Sequence, residues 1–368
     1  MVILQVIHSL GNGGAEKFVV ELSNELAKTN EVKLCSVKQV EEWMIPPKKI
    51  NAAVELIKLN LYKKYSIVLF CKLFRLIKKS RPDVVHVHSS ILVLYFYFLS
   101  LFFKKTIFLQ TIHSTITPAY EKLFRFLSLL RFINRGFLNV CISESIFKQY
   151  CSAFPKLRFV HIDNGIEKLS VTEKIKLTRQ EITSFKKDKS TKVFIAIGNY
   201  SSFKNFTMLA EVFRELEAAG CNVILLLIGG GKSCNLKNYA EVAGIKAANT
   251  FQLGLKDNVA DYLSCSDALL MSSTKEGMPL VVLEALSIGL PIVTTPAGGV
   301  VDIVEPRVNG VIANGFEKKD MLAAINTFLS MSDQQCREIK KNNLEKYAKR
   351  YSIVQCAQKY IEAAYSAH

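Results

Sequence analysis

The sequence predicts an α/β protein made of two domains, each built on a doubly wound parallel sheet. Three observations lead there. The chain of 368 residues is too long for one ordinary core. Short β-branched runs alternate with longer helical patterns along its whole length, as parallel sheets flanked by helices require. A polar, charged stretch, EKLSVTEKIKLTRQEITSFKKDKST at 167–191, divides that alternation in two. A composition of 49% apolar and 22% charged residues fits a globular chain and excludes a disordered one.

In chain order, the first apolar run, VILQVI, is the first strand, and HSLGNGGAEK turns from it into a helix starting near Ala15. Such a turn leaves backbone N–H groups unpaired at the positive end of a helix dipole, where an anion can bind. Two phosphate fingerprints nearly fit and fail. G-x-G-x-x-G is met at Gly11 and Gly13 but finds Glu16, and the P-loop pattern finds Glu16 and Phe18 at required positions. The turn is thus either an anion cradle or a structural corner. Further strands of the first half are read near 32–37, 83–88, 106–112, 138–142 and 158–162, with helices such as FVVELSNELAK between them. Those of the second half fall near 192–197, 223–228, 250–253, 267–271, 291–294 and 310–313, with helices such as MLAEVFRELEAAG. Gly231–Lys232–Ser233 follows a strand, but a P-loop would need a glycine where Leu226 stands. The expected domains are 1–170 and 171–351, and KRYSIVQCAQKYIEAAY closes the chain as an amphipathic helix.

The net charge of +16 is lopsided, because residues 1–170 hold 24 Lys/Arg against 12 Asp/Glu. An excess of that kind suits an anionic lipid surface, a phosphorylated ligand, nucleic acid or simple solubility. ILVLYFYFLSLFFKK, residues 91–105, is shorter than the roughly 20 residues needed to span a bilayer, so it reads as a buried or an interfacial helix. Lys63, Lys64, Lys72, Arg75, Lys78, Lys79, Lys104, Lys105, Arg125, Arg131 and Arg135 share its half of the chain. Aromatics beside such cations suit an anionic membrane surface, and no recognisable nucleic-acid-binding motif accompanies them. Nine cysteines without a C-x-x-C pair, and an N-terminus without a basic and apolar leader, predict a reducing cytoplasm.

The richest stretch is STKEGMPLVVLEALSIGLPIVTT, residues 273–295. Glu276 lies in the loop after the strand ALLMSS, Pro279 suits the first turn of a helix, and Glu284 sits on that helix. Two carboxylates can each accept a pair of hydrogen bonds from adjacent hydroxyls. The N–H groups around Leu280 and Val281 between them can hold an anion, which together describes a nucleotide-sugar site. Ordinary surface charges are the alternative.

E-G-M-P-L-V-V-L-E resembles the E-x7-E motif of glycosyltransferase family 4, retaining enzymes of the GT-B fold. GNGGAEKFVVELSNELA, DVVHVHSS, TIHS, CISES, DNGI, LLLIGGGK and the Gly298–Gly299 pair resemble the family's further motifs, in order over nearly the whole chain. The resemblance implies two Rossmann-like domains facing a central cleft, the first binding the acceptor and the second the nucleotide sugar, with residues 352–368 crossing back to the first. It implies that Glu284 holds the donor ribose and that Glu276 holds the transferred sugar, helped by the backbone of Gly277 and Met278. Lys204, in the stretch GNYSSFKN that Gly198 opens, would neutralise the diphosphate. The family's nearby arginine is replaced by Asn199 and Tyr200, so half of the usual cationic clamp is missing. His113 would be the active-site histidine, and Gly13 and Gly14 would approach the diphosphate closely because they lack side chains. His86 and His88 are read as facing opposite sides of their strand, so that at most one lines a site.

No D-x-D occurs in the chain, which predicts a reaction without a divalent metal or other cofactor. The resemblance implies retention by front-face attack, with the leaving phosphate taking the acceptor's proton. The expected donor is a UDP-, GDP- or other nucleoside-diphosphate sugar. The expected acceptor is a glycan or lipid-linked glycan of bacterial surface polysaccharide, reached by peripheral contact at the cytoplasmic face of the inner membrane. A nucleotide-sugar epimerase of the same architecture and a non-catalytic binding subunit are the alternatives.

Overall fold

A computed structural model of the chain describes residues 1–11, 13–38, 49–61, 66–130, 137–230, 244 and 247–366. The readings that rest on Lys63, Lys64, Arg131, Arg135 and Gly231–Ser233 lie outside the described residues. The chain forms two compact units, Met1–Glu167 with Arg350–His368, and Lys168–Lys349.

The first unit carries a seven-stranded, all-parallel sheet of β1 (Val2–Ile7), β2 (Glu31–Ser36), β3 (Val54–Lys58), β4 (Val84–Val87), β5 (Ile107–Ile112), β6 (Phe137–Cys141) and β7 (Phe159–His161). Their spatial order is β3-β2-β1-β4-β5-β6-β7. Among the described residues the helices between these strands are α1 (Gly14–Leu26), α2 (Ile67–Ser80), α3 (Ser90–Leu99), α4 (Pro118–Leu129) and α5 (Glu144–Ala153). α1 forms because Phe18, Val19, Leu22 and Leu26 recur at helical spacing and bury one face. α2 starts where the Ser66 side chain accepts the Leu69 N–H, and ends at Arg81 in the left-handed region, φ 45°. The apolar run at 91–103 resolves into α3 and a turn. Leu92, Val93, Phe96, Tyr97 and Leu99 are buried, while Phe98, Leu101 and Phe102 stay exposed. No described helix is long and apolar enough to cross a membrane.

The second unit carries β8 (Lys192–Ile197), β9 (Val223–Ile228), β10 (Thr250–Gly254), β11 (Ala268–Met271), β12 (Ile292–Thr294) and β13 (Gly310–Ile312). They are again all parallel, in the order β10-β9-β8-β11-β12-β13. Its helices are α6 (Ile175–Phe185), α7 (Phe206–Ala218), α8 (Val259–Ser264), α9 (Leu280–Ile288), α10 (Lys318–Leu329) and α11 (Asp333–Lys346). The polar stretch at 167–191 is therefore not all linker: it holds α6, whose Thr178 and Ile182 are buried. Thr172, just before α6, donates its N–H and hydroxyl to the Asp261 carboxylate at 2.6 and 2.7 Å.

The last helix, α12 (Ile353–Ser366), belongs to the first unit and packs on α1. It arrives beside residue 166, where the Ile166 N–H donates to Tyr351 O and the Ile353 N–H donates to Ile166 O, at 3.0 and 2.8 Å. Gly165 makes this approach possible, since a Cβ there would stand 2.6 Å from both the Cys356 Cβ and the Ser352 carbonyl oxygen. The Arg350 guanidinium locks the junction by donating to the two Asp163 oxygens at 2.7 and 3.2 Å.

Candidate active site

Each sheet reverses its strand order once, between β1 and β4 in the first unit and between β8 and β11 in the second. Crevices at the carboxyl ends of strands beside such reversals are where open α/β sheets bind ligands. Most candidate residues follow those ends: Gly13 and Gly14 after β1, His88 after β4, Gly198 and Lys204 after β8, and Glu276 after β11, while His113 follows β5, the next strand out from β4.

In the second unit the chain leaving β8 makes a short 3-10 turn, Ser202–Lys204, and enters α7 through Asn205 in the left-handed region, φ 53°. That turn is tied to the loop after β11. The Ser272 hydroxyl donates to Lys204 O at 2.6 Å, and the Thr274 N–H donates to Phe203 O at 2.8 Å. Lys204 and Glu276, far apart in sequence, are thereby brought together. The ammonium donates to Glu276 Oε1 at 2.6 Å, with 15% and 12% of the two side chains exposed. The Ser273 hydroxyl donates to the same oxygen at 2.6 Å. The lysine stem lies over Gly198, where a Cβ would meet Lys204 Cε at 3.1 Å.

Two glycines hold the floor of this site. A Cβ on Gly298, φ +54°, would fall 2.0 Å from the Glu276 carbonyl oxygen, and one on Gly229, φ +153°, would fall 1.7 Å from that of Gly198. Pro279 stands at the N-cap of α9, followed by Leu280 and Val281. The N–H groups of a helix's first turn have no partner within the helix, which suits them to an anion. Met278 is buried, Gly277 partly so, and Glu284 lies on α9 with 8% of its surface exposed. Asn199 stands where an arginine was expected, and Tyr200 beside it is buried against Phe206, with ring centroids 5.4 Å apart.

In the first unit Gly13 caps α1 with extended backbone, and a Cβ there would meet Glu16 Oε2 at 2.4 Å, the far end of a flexible side chain. Three histidines gather behind this loop. His86 and His88 do not face opposite sides. Residues two apart on a strand share a face, and their rings lie with centroids 3.9 Å apart. His88 Nε2 is 2.6 Å from Gln5 Oε1, and its Nδ1 is 3.4 Å from His113 Nε2. His86 Nε2 is 2.7 Å from Thr111 Oγ1, which is in turn 2.8 Å from the Tyr360 hydroxyl on α12. Phe18 sets its ring edge-on to both His88 and His113. Burial, and next the neighbouring His113, pull His86 down to about 3. Burial pulls His113 down to about 4 and takes His88, which also feels His86 and His113, well below its ordinary value. All three are therefore neutral at pH 7. Among the described residues no group of three or more His, Cys, Asp or Glu is arranged to hold a metal.

The sequence reading missed Gln5, Ser273 and Gly229. A glutamine inside the apolar strand VILQVI was the signal for the first, while the other two depend on which loops the sheet brings together.

Residues 178–350 match the family described as Glycosyl transferases group 1, and residues 12–168 match Glycosyltransferase Family 4. The chain is 25% identical to the N-acetyl-alpha-D-glucosaminyl L-malate synthase of Bacillus anthracis, over 68% of this chain and 66% of that protein. It is 24% identical to the UDP-Gal:alpha-D-GlcNAc-diphosphoundecaprenol alpha-1,3-galactosyltransferase of Escherichia coli, over 78% of this chain and 76% of that one. The crystal structure of Anabaena HepE in complex with UDP and glucose matches with a TM-score of 0.81 over 99% of both chains at 19% identity, a likeness of fold. The two family matches together span nearly the whole chain, and each coincides with one parallel-sheet unit. The chain belongs to glycosyltransferase family 4 and has the GT-B fold of those enzymes.

Proposed function

We propose that this protein is a retaining, metal-independent glycosyltransferase that moves a sugar from a nucleoside diphosphate to a glycan or lipid-linked acceptor of bacterial surface polysaccharide. The observation that carries the reading is the meeting of Lys204 and Glu276 at 2.6 Å beside the N-terminus of α9, with Glu284 on the same helix. Breaking a sugar–phosphate bond builds positive charge on the sugar and negative charge on the leaving diphosphate. Lys204 and the N–H groups of Leu280 and Val281 answer the second charge. Glu276, with the backbone of Gly277 and Met278, holds sugar hydroxyls, and Glu284 holds the ribose diol. The departing phosphate takes the acceptor's proton. The family resemblance assigns His113, Gly13 and Gly14 of the first unit to substrate binding. Two names fit this reading: the HepE complex contains UDP and glucose, and the Escherichia coli relative uses a diphosphoundecaprenol acceptor.

Contact with an anionic membrane is part of the same proposal. Exposed Ile67, Val68, Phe98, Leu101 and Phe102 share the first unit with exposed Lys78, Lys79, Lys104 and Lys105. Apolar side chains beside cations suit the interface of a cytoplasmic leaflet. Salt-sensitive co-sedimentation with phosphatidylserine-containing vesicles is expected, and failure to bind them at low salt would exclude the contact.

Thermal unfolding with UDP-, GDP-, ADP- and TDP-sugars tests the activity itself. A donor at about 100 times its dissociation constant adds roughly 2.7 kcal/mol, and Glu284→Ala should abolish both that stabilisation and acceptor-dependent release of the diphosphate. The replaced arginine at Asn199 and Tyr200 favours one rival, a non-catalytic sugar-nucleotide binder. Stabilisation by a donor with no diphosphate release in the presence of acceptor extracts would select it.

A further inference from the structure

The buried row Gln5, His88, His113 runs from the middle of β1 to the rim of the β5 end, and no part of the reaction above uses its first two members. Gln5 is fully buried and His88 nearly so, whereas His113 is only partly covered. Each imidazole is neutral and so carries one N–H, and the row determines where each hydrogen sits. The Gln5 oxygen, 2.6 Å from His88 Nε2, can only accept, so His88 carries its hydrogen on Nε2. Its Nδ1 is left as a lone pair facing His113 Nε2 at 3.4 Å, and His113 must then donate from Nε2. No described residue hydrogen-bonds His113 Nδ1, which remains an acceptor. The packing supports a fixed ring plane. Phe18 meets His88 and His113 edge-on at 6.0 and 5.7 Å, and His86, itself held by Thr111, lies against His88.

We propose that Gln5 and His88 are positioning residues that lock His113 in its Nε2–H tautomer, so that its Nδ1 is a hydrogen-bond acceptor for a hydroxyl, such as a sugar's, and not a donor to a phosphate. The sugar contact rests on the transferase reading, while the lock itself does not. A neutral ring with a bare Nδ1 repels phosphate oxygens and accepts an O–H, so the row supplies selectivity for the hydroxylated sugar over the free nucleotide. Rotating the Gln5 amide would reverse every hydrogen in the row and make His113 Nδ1 a donor, so the carboxamide of Gln5 sets the polarity of the site.

The test is 15N NMR of the full chain labelled at histidine, at pH 7, with the His113 signals identified by their loss in His113→Gln. The expected spectrum has a pyrrole-like Nε2 and a pyridine-like Nδ1 for His113 in the wild type, and a mixture of tautomers in Gln5→Leu. A pyrrole-like Nδ1 in the wild type, or a Gln5→Leu spectrum unchanged at His113, overturns the proposal. If Gln5→Leu does not fold, His88→Gln replaces it with the same expectation for His113. The second arm compares the stabilisation given by the best sugar nucleotide of the thermal panel with that given by its matching nucleoside diphosphate. Gln5→Leu should lower the first at least threefold in affinity and leave the second unchanged, and equal losses overturn the sugar contact. If no sugar nucleotide stabilises the wild type, the transferase reading falls, and the tautomer lock is still decided by the spectra.

Discussion

Lys204 and Glu276 neutralise each other at 2.6 Å, so under the proposed function phosphate oxygens would replace the carboxylate at the ammonium, and hydroxyls would replace the ammonium at the carboxylate. Hydrogen bonds to charged groups contribute about 1.5–3 kcal/mol each. Lys204→Met should therefore weaken nucleoside-diphosphate binding by roughly 10- to 150-fold, measured by calorimetry with the diphosphate that the panel selects, and an affinity within a factor of two of wild type would remove Lys204 from the phosphate site. The pair was legible only in part. Glu276 and Lys204 each stand in a motif, but their 2.6 Å contact depends on Ser272 and Thr274 binding the Ser202–Asn205 turn, which no local pattern announces. His86 and His88 illustrate a different gap, where the side-chain period of a strand places both on one face and their identity alone says nothing of partners such as Gln5 and Tyr360.

At the scale of elements, the loop after β11 is shaped from beneath by the 3-10 turn Gly298–Asp302. Gly298→Ala would add a methyl 2.0 Å from the Glu276 carbonyl at a backbone angle that side chains avoid. The expected result is a loss of about 1–3 kcal/mol of stability together with loss of sugar-nucleotide binding. Gly220, φ +77° with open space around it, is the control: Gly220→Ala strains the backbone alone and should leave binding intact. Equal ligand stabilisation in both variants would separate Gly298 from the site. Twelve of the thirteen strands among the described residues stand in the sequence as short apolar or β-branched runs, the edge strands β7, β10 and β13 among them. The exception, β3, is an edge strand with Val54 buried and Glu55 and Lys58 exposed, so its residues look like loop. Likewise α6 escaped because only Thr178 and Ile182 face inward, too few to mark a period among its charges.

For the whole molecule, the first unit carries a built-in sensitivity to acid. An unfolded chain takes up protons on His86 and His113 as the pH falls through about 6.5, while the folded chain refuses them until about 3 and 4. Stability should thus fall by about 1.4 kcal/mol per pH unit for each of them between pH 6.5 and 4. Asp163 acts lower on the scale. Burial alone would raise its carboxyl, but His161 and Arg350 outweigh burial and hold it below the usual carboxylate range. Its contribution therefore persists above that range and disappears as the pH falls through the lowered value. Melting temperatures measured from pH 7.5 to 4.5 should decline from just below pH 6.5, and a flat profile down to pH 5 would contradict neutral buried histidines. The path of the chain has a consequence for biosynthesis. Because α12 supplies Tyr360 to Thr111, Cys356 beside Gly165 and a cover for Phe18, the segment ahead of residue 168 is completed by one that a ribosome makes only after the second unit. The inserted second unit emerges whole and can mature while its elder neighbour still waits with an open flank, so a premature stop shortly before residue 353 would leave that flank bare.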